Sequence, residues 1–105
     1  MPDPATSVRF ADAARRLAAE CRMRGLVAPA FRSPPGLTGS DRTLRRRPDG
    51  GMVVAVRVRG RPMSTVVADL VEGVLAANRL DPGRAAVVRR QLLSALEVVL
   101  AARAA

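Results

Sequence analysis

Apolar residues recur every three or four positions in three stretches of the chain, and this spacing predicts three helices. The first covers residues 6–24 and is followed by Gly25, the residue type that commonly ends a helix. The second covers residues 64–79, with Ser64 as its expected N-cap, and the third covers residues 81–104 and begins with a capping aspartate. The main apolar positions are Phe10, Ala14, Leu17 and Cys21, then Val66, Val67, Leu70, Val71, Val74 and Leu75, and finally Val88, Leu92, Ala95, Leu96 and Val99.

Two extended runs, residues 41–47 and 52–59, flank a Pro-Asp-Gly-Gly segment, which predicts a β-hairpin. We expect Pro48 and Asp49 at the centre of the turn and Gly50 in a left-handed bulge. A shift of one residue would exchange the two faces of the hairpin. In the expected register Leu44, Met52, Val54, Val56 and Val58 are buried, Arg45, Arg47, Val53, Arg57 and Arg59 point outward, and Asp41 lies opposite Arg57.

Prolines and glycines exclude a helix between the first helix and the hairpin. Residues 27–32 are interpreted as a short third strand at a sheet edge and residues 33–40 as an irregular loop. The chain is therefore predicted to form an α+β fold in the order α-β-β-β-α-α, with a small antiparallel sheet and helices on one of its faces. Residues 1–105 are taken as a single domain.

The composition argues against most enzyme classes. All 18 basic residues are arginine, and there is no histidine or lysine. The usual general base, the commonest metal ligand and the Schiff-base amine are thus missing. The one cysteine, Cys21, cannot form an internal disulfide and is expected to be a buried structural thiol. We expect no catalysis, no cofactor and no metal site.

The single cysteine also fits a reducing compartment. Acids and arginines interrupt the first residues, so no signal-peptide apolar core is expected there. No uncharged apolar run approaches the roughly 18 residues that a membrane span needs. We therefore expect a cytoplasmic protein with no membrane partner.

The excess of positive charge is concentrated in the predicted sheet. The chain carries a net charge of +9, and residues 26–63 alone contain eight arginines and two acids. GC-rich codons account for arginine in place of lysine, but they do not account for twice as many bases as acids. Like charges side by side on a sheet repel one another, and a phosphate partner would relieve that repulsion. The expected contacts to a DNA or RNA duplex backbone are Arg45, Arg47, Arg57, Arg59 and Arg61.

Residues 59–62 read Arg-Gly-Arg-Pro, a segment that resembles the core of an AT-hook. In that motif an extended Arg-Gly-Arg segment enters the narrow minor groove of AT-rich DNA, so the resemblance implies contacts by Arg59 and Arg61. We nevertheless interpret the segment as a turn between a strand and the second helix, where glycine and proline are usual residues, and keep the AT-hook as the alternative.

Two other interpretations of the charge and of the last helix stay open. The arginines are also compatible with a solvated face that prevents edge-to-edge aggregation, or with docking of an acidic protein. The third helix would be about 33 Å long, more than such a small domain is wide. Its apolar stripe, within residues 83–104, therefore predicts a homodimer, unless the helix folds back onto its own chain.

Overall fold

In the computed structural model of the chain, residues 4–33 and 42–104 are described, with side chains for residues 9–33 and 42–100. Three helices and three strands follow in the order α-β-β-β-α-α, which confirms the predicted α+β class and element order. The helices are α1 (Pro4–Met23), α2 (Met63–Asn78) and α3 (Pro82–Ala104). The strands are β1 (Ala30–Arg32), β2 (Arg42–Arg46) and β3 (Met52–Val56). Asp41 and the loop expected at residues 33–40 lie outside the described residues, apart from Ser33.

The hairpin forms in the predicted register. Leu44 pairs with Val54 and Arg45 with Val53, so the predicted faces of β2 and β3 are confirmed within the strands. Gly50 has a φ of +90°, its N–H donates to the carbonyl of Arg47 at 3.0 Å, and this closes the turn. The carboxylate of Asp49 accepts from the N–H of Gly51 at 2.9 Å and orders the bulge.

The third strand joins the other edge of β3, in parallel. Phe31 is paired with Val54 there, and the strand order is β1-β3-β2. The sheet is therefore mixed rather than antiparallel throughout, and only the hairpin follows the expected antiparallel pattern. β1 is also shorter than the predicted strand of residues 27–32, because Pro29 lacks the N–H that a ladder requires.

Helix α2 is the helix that packs on the sheet, and Gly73 sets how closely it does so. A Cβ at position 73 would lie 2.9 Å from Cγ1 of Val54 and 3.4 Å from Cε1 of Phe31. Val54 and Phe31 therefore point towards α2, and the adjoining residues on both strands point away from it. The other helices, α1 and α3, contact α2 and each other and complete a helical layer on one face of the sheet.

The starts of α1 and α2 differ from the sequence prediction, and α1 begins at Pro4 rather than at residue 6. Ser64 is not the cap of α2: the helix begins at Met63 with Pro62 at its N-cap, and no side chain caps it. The buried side chain of Met63 packs with the core and extends the helix by that residue. Asp81 does cap α3, because its carboxylate accepts from the N–H of Arg84 at 3.0 Å.

A buried carboxylate ties α1 to α3. Glu20 is 4% exposed, and its oxygens accept hydrogen bonds from the guanidinium of Arg24 and, at 3.1 Å, from Nε of Arg16. Nε of Arg24 also donates to the side-chain oxygen of Gln91 on α3 at 3.2 Å. The Arg24 hydrogen bond, with the charges of both arginines, lowers the pKa of Glu20 below its ordinary 4.5, although burial opposes the shift.

We expect this carboxylate to make the fold acid-sensitive. A depressed pKa in the folded state contributes stability above a pH of about 4.5, and that contribution is lost as the pH falls through the folded pKa. Glu20→Gln should therefore flatten the dependence of the free energy of unfolding on pH between about pH 6 and about pH 3. Urea unfolding at several pH values measures it, with Glu97→Gln, an exposed position on α3, as the charge-matched control. Equal slopes in E20Q and wild type would refute the assignment.

Candidate nucleic-acid interface

The side of the sheet opposite α2, here called the open face, consists of residues from all three strands. The register brings Thr43 and Arg45 of β2 beside Ala55 and Val53 of β3, and Ala30 and Arg32 of β1 lie on the other side of the same two residues. Thr43, Val53 and Ala55 are half-buried and form an uncharged strip, called the neutral strip below. Arg32 and Arg45 are exposed on its two sides.

Three successive arginines occupy the hairpin end of β2. Arg45 belongs to the open face, Arg46 to the helix side and Arg47 to the start of the turn, and all three are exposed. These three residues are called the tip cluster. Arg47 is 3.3 Å from the carboxylate of Asp49, with both side chains more than half exposed, so this ion pair is weak and open to exchange.

Arg57, Arg59 and Arg61 lie at the opposite end of the sheet, where β3 leaves for α2. Arg59 is exposed, whereas Arg57 is half-buried. Two hydrogen bonds fix the Arg61 side chain, because its Nη1 donates to a carboxylate oxygen of Asp69 at 2.6 Å and to the carbonyl of Arg57 at 3.1 Å. Only 15% of the Arg61 side chain is exposed, so its guanidinium links the turn to α2.

The Arg-Gly-Arg-Pro segment is folded as a turn. The N–H of Arg61 donates to the carbonyl of Val58 at 3.2 Å, and Gly60 has a φ of +75°. Pro62 then occupies the N-cap of α2. The turn interpretation is therefore confirmed, and the extended Arg-Gly-Arg of an AT-hook is not the conformation found here.

The five predicted contact residues are thus divided between two ends of the sheet. Arg45 and Arg47 lie at the hairpin end, and Arg57, Arg59 and Arg61 at the other end. The prediction that all five lie on one face assumes that side chains continue to alternate along β3. The strand ends at Val56, so this alternation does not extend to Arg57, Arg59 and Arg61. Among the buried positions predicted with them, Leu44 is on the correct side but 37% exposed, because β2 is an edge strand.

The sequence analysis missed two exposed arginines. The sequence places Arg32 on a strand but does not show which face its side chain is on, since that depends on the parallel pairing of β1 with β3. Arg46 alternates onto the helix side, yet its side chain is exposed because it lies at the end of an edge strand. The run of three arginines was the one signal in the sequence that pointed to it.

The helical regions contain nearly as many acids as arginines, unlike the sheet region: residues 64–105 have five arginines and four acids, whereas residues 26–63 have eight and two. Arg15, Arg16 and Arg24 pair with acids on α1. Arg89 on α3 binds Glu72 on α2, with Nε 2.6 Å from Oε2, and this hydrogen bond lowers the pKa of Glu72. Within the described part of the chain, no ion pair joins Arg32, Arg45, Arg46 or Arg59 to a carboxylate. The same is true of four exposed arginines in the helices and at their ends, Arg22, Arg79, Arg84 and Arg90.

Cys21 and the acidic side chains are the other chemically active groups among the described residues. The thiol of Cys21 is fully buried, and burial raises its pKa. No three acidic, cysteine or histidine side chains within residues 9–33 and 42–100 come together as a candidate metal site. None of the described helices combines the length and apolar character needed to cross a bilayer. Comparison with protein-family models, curated proteins and solved structures finds no significant match.

Proposed function

We propose that the protein is a non-enzymatic, cytoplasmic nucleic-acid-binding protein that holds the phosphate backbone with exposed arginines of its sheet. The observation that carries the proposal is the concentration of positive charge in the sheet region, where residues 26–63 contain eight arginines and two acids, whereas residues 64–105 contain five arginines and four acids. Within that region Arg32, Arg45, Arg46 and Arg59 are exposed and lack a carboxylate partner among the described residues. A phosphate backbone supplies many acceptor oxygens for such guanidinium groups.

Binding of this kind should weaken steeply as salt rises, since each phosphate contact releases counterions. We expect wild-type protein to bind a generic duplex, and Arg45→Ala with Arg46→Ala to lower the affinity about 10-fold and the salt slope by about 2. The charge-matched control is Arg84→Ala with Arg90→Ala, both exposed on α3. Fluorescence anisotropy between about 50 and 200 mM salt measures both quantities.

The two double variants separate the hairpin end of the sheet from bulk charge. Both lower the net charge by the same amount, and neither removes a buried side chain. If they weaken binding equally, total charge rather than the sheet accounts for it. If wild type binds neither DNA nor RNA at any salt concentration, the proposed function is wrong.

An acidic protein partner is the second candidate. The neutral strip of Thr43, Val53 and Ala55 favours it, because half-buried small residues rimmed by arginines suit a protein surface with carboxylates around an apolar centre. This function predicts that one acidic protein co-purifies after nuclease treatment and is lost with Arg45→Ala and Arg46→Ala. In α3, by contrast, Val88, Leu92 and Leu96 are buried against their own chain, which favours the alternative, a helix that folds back, rather than the predicted homodimer.

A further inference from the structure

The exposed arginines around the open face form two separate groups rather than one patch. The tip cluster lies at the hairpin end, and a second group, Arg32 and Arg59, lies towards the end where β3 leaves the sheet. Arg32 and Arg59 are called the far pair. The neutral strip separates the two groups on the open face, and it contains no charged side chain.

The spacing of the groups follows from the pairing register. Arg45 is level with Val53, and Arg32 is level with Ala55 on the other side of β3. The Cα atoms of Arg45 and Arg32 are about 12 Å apart, because two strand spacings across the sheet and two residues along it separate them. The major groove of B-form DNA is also about 12 Å wide, and its minor groove only about 6 Å. In A-form RNA the minor groove is the wide one.

The open face offers no platform for unpaired bases. The chain contains two phenylalanines and no tryptophan or tyrosine. Phe31 points to the helix side, where its ring would meet a Cβ at position 73, and Phe10 belongs to α1. Proteins that hold single strands combine basic grooves with aromatic side chains that stack on the bases. The face therefore has the charged part of such a site without the stacking part.

We propose that the open face takes a nucleic-acid duplex rather than a single strand, and that it straddles a wide groove. The tip cluster contacts one backbone, the far pair contacts the other, and the neutral strip of small side chains lies over the groove between them. This inference rests on the proposed function and names its substrate class. Contact to two backbones requires both arginine groups, so neither group alone should retain the preference for a duplex.

The test measures the affinities of wild type and three double variants for a DNA duplex, an RNA duplex and the single strand of the same sequence. The variants are Arg45→Ala with Arg46→Ala, Arg32→Ala with Arg59→Ala, and the control Arg84→Ala with Arg90→Ala. All six positions are exposed, so the fold should be kept, and circular dichroism with thermal unfolding checks this. Wild type should prefer one duplex over the single strand by about 10-fold or more at matched salt.

The expected result is that each of the two sheet variants loses duplex affinity by about 10-fold and most of the preference for a duplex. The control should keep that preference. Equal binding of duplex and single strand by wild type would overturn the inference while leaving the proposed function intact. A far-pair variant that behaves as the control would overturn it too, since one backbone contact at the tip would then suffice. Whether the DNA or the RNA duplex binds more tightly identifies which wide groove is used.

Discussion

Gly73→Val is expected to lower the free energy of unfolding by about 3 kcal/mol, a large part of the total for a domain of this size. A Cβ alone would lie 2.9 Å and 3.1 Å from the two γ-carbons of Val54, closer than such atoms ordinarily approach. Val54 is fully buried, and its β-branched side chain is restricted at χ1, so a change of rotamer would not readily relieve the clash. The added methyl groups of valine would therefore separate α2 from the sheet.

The control on the same helix is Ala76→Val, at an exposed position, which should cost no more than about 0.7 kcal/mol through helix propensity. A double-mutant cycle of Gly73→Ala with Val54→Ala sharpens the result. Alanine at position 54 removes the two carbons that the new Cβ would meet, so the double variant should be more stable than the two single costs predict. The close approach of α2 to Val54 is contradicted if the destabilisations of G73A and V54A add in the double variant, as measured by urea unfolding. It is also contradicted if G73V is as stable as A76V.

Leu92→Ala is expected to cost about 2–5 kcal/mol, the usual range for a fully buried leucine. Leu92 lies on the side of α3 that packs in the core shared with α1 and α2, so its removal leaves a cavity within one chain. The control is Val98→Ala, since Val98 is 61% exposed on the same helix. Urea unfolding compares the two variants, and V98A should stay within about 0.5 kcal/mol of wild type.

The same pair of variants tests the predicted homodimer through residues 83–104. If the stripe is internal, the thermal midpoint of wild type does not depend on protein concentration, and L92A destabilises a monomer. If the stripe instead lies between two copies, the midpoint rises with concentration, because dissociation is coupled to unfolding. Sedimentation of wild type and L92A distinguishes the two cases.

Patterns within a short stretch of the chain predicted most of the fold. The position of the turn and the apolar positions of β3 predicted the pairing of Leu44 with Val54, because a one-residue shift would have turned Val54 and Val56 outward. The cap at Asp81 and the end of α1 just before Gly25 follow from local hydrogen bonding in the same way. The start of α2 does not follow from local hydrogen bonding. The helix begins at Met63, whose side chain is buried, and no side chain caps it.

The candidate site was predicted in part, and the remainder depended on contacts distant in sequence. Arg45 is exposed on the open face as expected, because its place needs only the hairpin register. The engagement of Arg61 by Asp69 could not be read from spacing, since it requires the turn geometry that folds β3 back onto α2. The position of Arg32 required knowing that β1 joins the far edge of β3 in parallel.

That parallel pairing also bears on the order in which the molecule is built. Arg46 and Met52 are six residues apart, whereas Ala30 and Val53 are 23 apart, so closing the second loop costs roughly 1.2 kcal/mol more in chain entropy. The hairpin is therefore expected to form first, as a local unit, and β1 to dock later on a surface that α2 has already positioned. One arginine group of the proposed interface is then present from the earliest stage of folding, and the proposed duplex-binding surface is complete only when β1 has docked.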